Sequence, residues 1–361
     1  MSIHFHSLKI ADIRKETADC VSIAFEVPES LKKTFAFHHG QNVTLKAMID
    51  GEDLRRSYSI CSSPHDNELR VAVKKADKGK FSTYINKSLK KGDLLEVLPP
   101  TGKFYTSLHQ SQQKNYLAIA AGSGITPVIS IIKTTLLTEP ESTFTLIYGN
   151  RNRASIIFRE ELENLKNRYI DRFQLIHVLS REKTDAALNS GRIDVPKSRE
   201  LFSKLINLRA IDDIFLCGPE EMIFSVSNFL EQSGVEKKKI HFELFTTPEQ
   251  KKYSKQSGAD SNQQILTGES TVQIKLDGIV SDFKLAYDQE SILNAALKQG
   301  IDLPFACKGG VCCSCRAKLE EGQVEMDVNY ALEPDEVKAG FILTCQSHPR
   351  SEKVVVNFDV R

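Results

Sequence analysis

Four cysteines near the C-terminus, Cys307, Cys312, Cys315 and Cys345, fall in the spacing C-x4-C-x2-C with one more cysteine far downstream. No other feature limits the fold as tightly, because this spacing is the thiolate set of a two-iron, two-sulfide cluster. Three of the sulfurs come from the run Pro304-Phe305-Ala306-Cys307-Lys308-Gly309-Gly310-Val311-Cys312-Cys313-Ser314-Cys315-Arg316. That segment must wrap tightly to reach two irons, and Gly309 and Gly310 supply backbone angles that other residues resist. The fourth sulfur arrives from Leu343-Thr344-Cys345-Gln346, after a stretch long enough for a strand pair and a short helix over 333–339. Four thiolates also build tetrahedral zinc sites, but those usually pair two short CxxC knuckles, and here a single knuckle stands with a lone distant cysteine. Cys313 lies between two ligands, points away from the cluster and reads as a small buried or surface thiol.

At 361 residues the chain is too long for one ordinary core, which predicts two or three domains. Charged residues make up 26% and apolar residues 40%, the balance of a soluble globular protein. A net charge of +1 argues against nucleic-acid or membrane-surface binding driven by global charge, and the runs Lys32-Lys33, Lys74-Lys75 and Lys237-Lys238-Lys239 read as solvated faces. The remaining cysteines, Cys20, Cys61, Cys217 and Cys313, are scattered, which fits free thiols in a reducing cytoplasm better than a disulfide framework. The N-terminus shows no secretory signal. The longest ion-free run, 116–132, carries Gly122, Ser123, Gly124 and Pro127 at its centre, so it reads as strand, loop and helix start and not as a membrane span.

Up to about residue 104, short alternating or apolar runs at 20–27, 43–49, 57–61, 68–73 and 94–98 are separated by Gly, Pro, Asp and Asn. They predict an antiparallel β-barrel, interrupted by one helix near 82–89. Strands at 116–121, 143–148, 173–179 and 214–217 then alternate with helices at 128–137, 155–168, 198–207 and 220–232, and a last strand follows at 239–245. Such alternation implies an α/β domain with a parallel sheet covered on both faces. Residues 246–270 are rich in Gln, Lys, Ser, Gly and Asn and read as a linker. Beyond them come a hairpin (271–276 and 282–286, turned at Asp277-Gly278), a helix over 291–299 with Ser291 as N-cap and Gly300 as its stop, and the cysteine loop, together a small α+β unit. The predicted division is 1–108, 109–246, a linker at 247–269, and 270–361.

On a strand, Arg56, Tyr58 and Ile60 of Arg55-Arg56-Ser57-Tyr58-Ser59-Ile60 share one face, where an Arg beside an aromatic can clamp a pyrophosphate and flank a flat ring. Gly79-Lys80-Phe81-Ser82-Thr83 opens a helix whose free N–H groups and hydroxyls suit a phosphate, although simple capping explains the same residues. Gly122-Ser123-Gly124-Ile125-Thr126-Pro127 follows an apolar strand and opens a helix, the context in which a glycine loop binds pyrophosphate. Pro127 stands where the usual fingerprint has a third glycine, and proline is tolerated in a first helical turn. Cys217-Gly218-Pro219 ends a later strand. After two other strands, Ser180-Arg181 and Asn150-Arg151 with Arg153 offer cations to a 2′-phosphate, and no acid directly ends the second strand to bind a ribose hydroxyl, so NADPH is favoured over NADH.

Arg56-Ser57-Tyr58-Ser59, Gly79-Lys80-Phe81-Ser82, the G-x-G-x-x-P loop and Cys217-Gly218-Pro219 resemble the motifs of the ferredoxin-NADP reductase family, and the cysteine loop resembles its C-terminal plant-type ferredoxin extension, a β-grasp domain. The resemblance covers nearly the whole chain. It implies that Arg56 binds the FAD pyrophosphate, Tyr58 packs on the flavin, Ser59 hydrogen-bonds near its reactive N5, and Gly79, Ser82 and Thr83 hold phosphate. By the same resemblance Gly122, Gly124, Thr126, Pro127, Ser180, Arg181, Gly218 and Pro219 hold the nicotinamide nucleotide, with Ser59 and Cys217 at the reacting centre. The order of domains is similar to that of reductase components of aerobic ring- and CoA-ester-oxidising systems. It implies a separate oxygenase as acceptor, the di-iron epoxidase of phenylacetate degradation first and a steroid hydroxylase, desaturase or hybrid-cluster protein as alternatives. A hydride carries two electrons and a [2Fe-2S] cluster takes one, so a flavin must stand between them.

Overall fold

The computed structural model describes residues 4–245 and 268–360. Most of the linker expected at 247–269 lies outside the described residues, and its last residue, Glu269, already belongs to a strand. His6–Leu54 with Tyr58–Phe245 form one compact unit, and the C-terminal residues build another.

The first sheet comprises β1 (His6–Thr17), β2 (Cys20–Glu26), β3 (Asn42–Ile49), β4 (Glu52–Ser59), β5 (Leu69–Lys74) and β6 (Leu94–Val97) in the order β4-β3-β6-β1-β2-β5. Its edge strands meet through an antiparallel bridge between Ile60 and Val71, which closes the sheet into a barrel. Leu8, Ile10, Ile23, Val43, Leu45, Ile60, Val71 and Val97 fill the interior. β1 has no counterpart among the strands expected from sequence. Its run of Lys9, Asp12, Arg14, Lys15 and Glu16 dilutes the apolar signal, and only Leu8, Ile10 and Thr17 of this strand are buried. α1 (Lys80–Lys87) begins two residues before the helix expected at 82–89.

Arg70 is 4% exposed within this barrel. Its Nε and Nη2 donate to Glu68 at 2.8 Å each, Nη2 also reaches Asp12 at 2.5 Å, and Nη1 donates to Ser22 at 2.9 Å. A buried guanidinium is tolerable only when its donors are matched in this way. Hydrogen bonds from Arg70 hold the Asp12 and Glu68 carboxyls below the usual carboxylate range.

The second sheet comprises β7 (Asn115–Ala121), β8 (Thr143–Asn150), β9 (Phe173–Leu179), β10 (Asp213–Gly218) and β11 (Ile240–Leu244), all parallel, in the order β11-β10-β7-β8-β9. α2 (Ile125–Thr138) packs on β7, β8 and β10, α3 (Arg159–Arg168) on β9, and α5 (Glu220–Gln232) on β10 and β11, while α4 (Val195–Leu205) packs on α5. The helix expected from residue 155 starts only at Arg159. Asn152 and Ser155 close a reciprocal capping box on a single 3-10 turn, Ile156 and Ile157 are buried, and Phe158 takes a left-handed φ of 58° before the helix begins. Strand order reverses between β7 and β10, and in open parallel sheets the ligand crevice lies beyond the carboxyl ends of the strands at that reversal.

The C-terminal unit has β12 (Glu269–Leu276), β13 (Ile279–Ala286), β14 (Arg316–Glu321), β16 (Phe341–Leu343) and β18 (Lys353–Asn357) in the order β13-β12-β18-β14-β16. A small pair, β15 (Val324–Met326) with β17 (Ser347–Pro349), completes it. β12 and β18 run parallel and the other described pairs antiparallel. The hairpin turns at Asp277-Gly278, both with positive φ (54° and 74°), as the Asp-Gly pair requires. Helix Ile292–Lys298 has Ser291 at its N-cap position, but the Ser291 side chain makes no capping hydrogen bond. The short helix Pro334–Lys338 is held by a Glu333–Glu336 capping box.

Candidate functional site

The crevice residues begin with the turn after β7. Residues Gly122–Gly124 form a 3-10 turn that runs into α2, and neither segment has a side-chain cap, so the helix start presents backbone N–H groups in the manner of a pyrophosphate site. A Cβ placed on Gly124 would stand 2.1 Å from the Cys217 carbonyl oxygen, so only glycine lets this turn lie against the end of β10. Thr126 Oγ1 donates to the Ser123 carbonyl at 3.0 Å, and the fully buried Tyr148 donates its hydroxyl to the Gly122 carbonyl at 2.9 Å. Pro127 is the third residue of α2. Lys74, read from sequence as part of a solvated pair, ends β5 instead with its Nζ 4.0 Å from where a Cβ on Gly122 would stand. Its ion pair with Asp19 is long, at 3.8 Å.

β10 carries Cys217 and Gly218 to the same end of the sheet. The Cys217 side chain is wholly buried, and burial pushes its thiol well above the ordinary value, so this sulfur is a neutral packing group and not a thiolate. In the β10–β11 register Cys217 is paired with Glu243. Ser59, at the end of β4 and 4% exposed, donates its hydroxyl to Glu243 Oε2 at 2.9 Å, joining the barrel to the last strand of the parallel sheet. Glu243 escaped the sequence reading. The signal that could have found it was a lone carboxylate in the apolar stretch Phe242-Glu243-Leu244-Phe245.

The other expected flavin residues lie on β4 and α1. Arg56 is exposed and its Nη1 donates to the Arg55 carbonyl at 2.8 Å, while Tyr58 is half-buried and stacks on Phe81 with ring centroids 6.0 Å apart. Gly79 takes the N-cap position of α1. Ser82 accepts from Ala76 N at 3.0 Å and donates to the Gly79 carbonyl at 3.2 Å, and Thr83 N donates to the same carbonyl. The hydroxyl of Ser82 thus shapes the loop, and the start of the helix beside it has no side-chain cap. After β8 and β9, Ser180 N donates to the Asn150 carbonyl and Arg181 N to the Arg151 carbonyl, so these two loops are knitted together with Arg151 and Arg181 both exposed. Arg153 is partly engaged by Glu182, at 3.3 Å from Nε, which weakens its claim on an incoming phosphate.

In the C-terminal unit the four expected ligand cysteines come together as two pairs. Cys312 Sγ lies 3.1 Å from Cys307 Sγ, and Cys315 is hydrogen-bonded to Cys345. The hydrogen bond within each pair favours one thiolate at the expense of the other, drawing Cys312 and Cys345 down and pushing Cys307 and Cys315 up. A pair of thiolates per iron is what a [2Fe-2S] rhomb requires. Among the described residues no three or more His, Cys, Asp or Glu side chains gather as ligands of a single metal ion. Cys313 turns aside and contacts the Ala331 carbonyl at 3.3 Å. The tight wrap is achieved by Lys308 (φ 49°) and Gly310 (φ 74°), so Gly309 does not take the left-handed angle expected of it. Gly310 is also required for space, since its Cβ would meet Val328 at 2.9 Å. Gly309 N donates to Cys307 Sγ at 3.2 Å, the kind of contact that holds a ligand thiolate.

Comparisons agree with this arrangement module by module. Residues 7–105 match the model of the oxidoreductase FAD-binding domain, 118–228 that of the oxidoreductase NAD-binding domain, and 274–350 that of the 2Fe-2S iron-sulfur cluster binding domain. The chain is 47% identical to a subunit of the 1,2-phenylacetyl-CoA epoxidase of Escherichia coli, over 99% of this chain and 98% of that one. It is 33% identical to the ferredoxin reductase component of 3-ketosteroid-9-alpha-monooxygenase from Rhodococcus rhodochrous, over 97% of this chain and 96% of that protein. The solved structure of phthalate dioxygenase reductase, described as a modular structure for electron transfer from pyridine nucleotides to [2Fe-2S], shares the fold with a TM-score of 0.58 at 23% identity, covering 98% of both chains. With barrel, parallel sheet and cysteine-bearing unit each matched in order, this chain belongs to the ferredoxin-NADP reductase-type flavoproteins with a C-terminal plant-type [2Fe-2S] domain, and is an FAD-, NAD(P)H- and iron–sulfur-dependent oxidoreductase.

Proposed function

We propose that this chain takes electrons from NADPH in preference to NADH and passes them singly to the di-iron oxygenase component of a phenylacetyl-CoA epoxidase in the cytoplasm. The observation that carries the choice of acceptor is the near full-length likeness, at 47% identity, to a protein named as a subunit of such an epoxidase. The division of labour is residues 1–108 for FAD, 109–246 for the nicotinamide nucleotide and 270–361 for the cluster. When bound, the flavin supplies acceptance of an electron pair and release of single electrons, and the cluster carries them one at a time.

In this reading the chain's own residues bind, orient and shield. Arg56, Gly79, Ser82 and Thr83 hold the phosphates of FAD, and Tyr58 packs on its ring. Ser59, held by Glu243, hydrogen-bonds the reactive edge. The Gly122–Gly124 turn with Thr126 and Pro127 receives the nucleotide pyrophosphate, with Lys74 as an added cation, while Cys217, Gly218 and Pro219 form the wall beside the nicotinamide. Ser180, Arg181 and Arg151 meet the 2′-phosphate, a dianion that exposed guanidiniums recognise by forked hydrogen bonds. Cys307 and Cys312 hold one iron, Cys315 and Cys345 the other. A cytoplasmic setting fits eight cysteines with no disulfide among them, four as cluster ligands and Cys20, Cys61, Cys217 and Cys313 as free thiols.

Steady-state kinetics test the nucleotide choice. Arg181→Ala should lower kcat/KM for NADPH about 5- to 30-fold, the loss of one charge-assisted contact of roughly 1–2 kcal/mol, and leave NADH nearly untouched. An equal loss for both nucleotides would remove the phosphate role. The acceptor is tested by mixing the pre-reduced chain with the di-iron epoxidase component and, separately, with a steroid monooxygenase oxygenase, which the 33% relative makes the competing choice. Faster reduction of the steroid enzyme would overturn the assignment.

A further inference from the structure

One buried polar side chain stands next to the cluster ligands without being a ligand itself. Gln346 directly follows the fourth ligand, is 5% exposed, and lies against Gly310 so closely that a Cβ there would meet its Cγ at 3.2 Å. Its Nε2 is 3.1 Å from the Lys308 carbonyl, 2.8 Å from the Cys345 carbonyl and 3.4 Å from Cys345 Sγ. Two carbonyl acceptors on one end of the carboxamide fix which end carries the nitrogen, because the amide oxygen cannot donate to either. The backbone is anchored as well, with Gln346 N donating to the Leu343 carbonyl and Asp327 N to the Gln346 carbonyl, so the amide is aimed and not free to swing.

We propose that Gln346 is the positioning residue that sets the reduction potential of the cluster from outside its ligand set, clamping the Cys307–Cys312 loop to the fourth ligand and lending an N–H to the Cys345 sulfur. This rests on the reading of Cys307, Cys312, Cys315 and Cys345 as the cluster ligands. The amide has two hydrogens and three acceptors, so the sulfur shares a donor with the carbonyls. Electron transfer here forms and breaks no bond in the protein. One electron enters from the reduced flavin and one later leaves to the acceptor, so the only change at Cys345 is more negative charge on its sulfur. A donor facing that sulfur gains strength on reduction, which favours the reduced state and raises the potential. The same clamp fixes the wrap at Lys308, whose left-handed φ is unusual for a lysine, by holding its carbonyl.

The test compares the full-length protein with Gln346→Met, which keeps the length of the side chain and removes its donors, and Gln346→Glu, which puts a negative oxygen in place of the nitrogen. Iron and acid-labile sulfide analysis comes first, followed by potentiometric titration monitored by EPR. The expected result is a full cluster in Gln346→Met with a one-electron reduction equilibrium up to tenfold less favourable, equivalent to a midpoint about 59 mV lower. Gln346→Glu should fall further. An unchanged midpoint in a fully loaded Gln346→Met would overturn the proposal. Wild-type protein with no iron or sulfide would overturn the ligand reading instead. Should Gln346→Met fail to hold a cluster, wild-type protein labelled with 15N in glutamine side chains is reduced and examined by pulsed EPR. Coupling of the cluster spin to an amide nitrogen supports the bond to Cys345, and its absence overturns it.

Discussion

The nucleotide crevice and the cluster loop solve the same problem, holding a redox group in place, with opposite materials. In the proposed reading the cluster is gripped by side chains, since iron needs sulfur at fixed points and four cysteines in a fixed spacing supply it. The crevice is built largely from backbone. Its central feature is a turn that lies on the Cys217 carbonyl because Gly124 has no side chain, with the buried Tyr148 hydroxyl tying down the Gly122 carbonyl. Chemistry written in side-chain type tolerates no substitution, whereas chemistry written in backbone shape fails by degrees.

The largest effect that this contrast predicts is at the cluster. Cys345→Ala should abolish the iron–sulfur absorbance and electron delivery to any acceptor while leaving reduction of the flavin by NADPH measurable, and a cluster that persisted would break the contrast. Gly124→Val comes next. Its side chain meets backbone 2.1 Å away, so the turn must shift; displacements of this kind cost about 10²-fold in rate. Stopped-flow measurement of flavin reduction would read it, and a near-wild-type rate would mean that the turn is not rigid. Smaller still are Ser59→Ala and Glu243→Ala, each expected to slow flavin reduction by about 5- to 100-fold, the loss of one hydrogen bond to a charged group at roughly 1–3 kcal/mol. Because one hydrogen bond is shared, the double variant should cost less than the two losses added, and strict additivity would show that the pair does not act together.

The smallest effect concerns the barrel's buried charge. Folding depresses the Asp12 and Glu68 carboxyls through hydrogen bonds from Arg70, so their contribution is present above the unfolded value near 4 and is lost as pH falls through the lower folded values. Glu16, raised by burial, titrates with the opposite sign and softens the slope. Urea midpoints measured from pH 5 to pH 3 should fall, and Asp12→Asn should flatten that fall; an equal slope in both would assign acid sensitivity elsewhere.

Acidic residues on the C-terminal unit carry a related lesson. Glu320, Glu321, Glu325 and Asp327 stand close together in the sequence, a short way past the cysteine loop, and the fold pairs the three glutamates with Lys275, Lys353 and Arg350 and sets Asp327 beside His348. Exposed pairs of this kind add little stability, and each lysine or arginine offsets the negative charge of its glutamate.

By itself the sequence determined the cysteine spacing of a 2Fe-2S domain, the glycine turn after an apolar strand, the alternation that makes a parallel sheet, and the Asp277-Gly278 hairpin, because each is a local demand for one residue type at one spacing. Only the tertiary structure decided that Ser59 meets Glu243 across 184 positions, that Lys74 faces the Gly122 turn, and that Gln346 reaches back to Lys308. It also revealed β1, whose charges conceal a barrel strand. Contacts between distant segments depend on how closed sheets bring their ends together, and that geometry leaves no periodic trace along the chain.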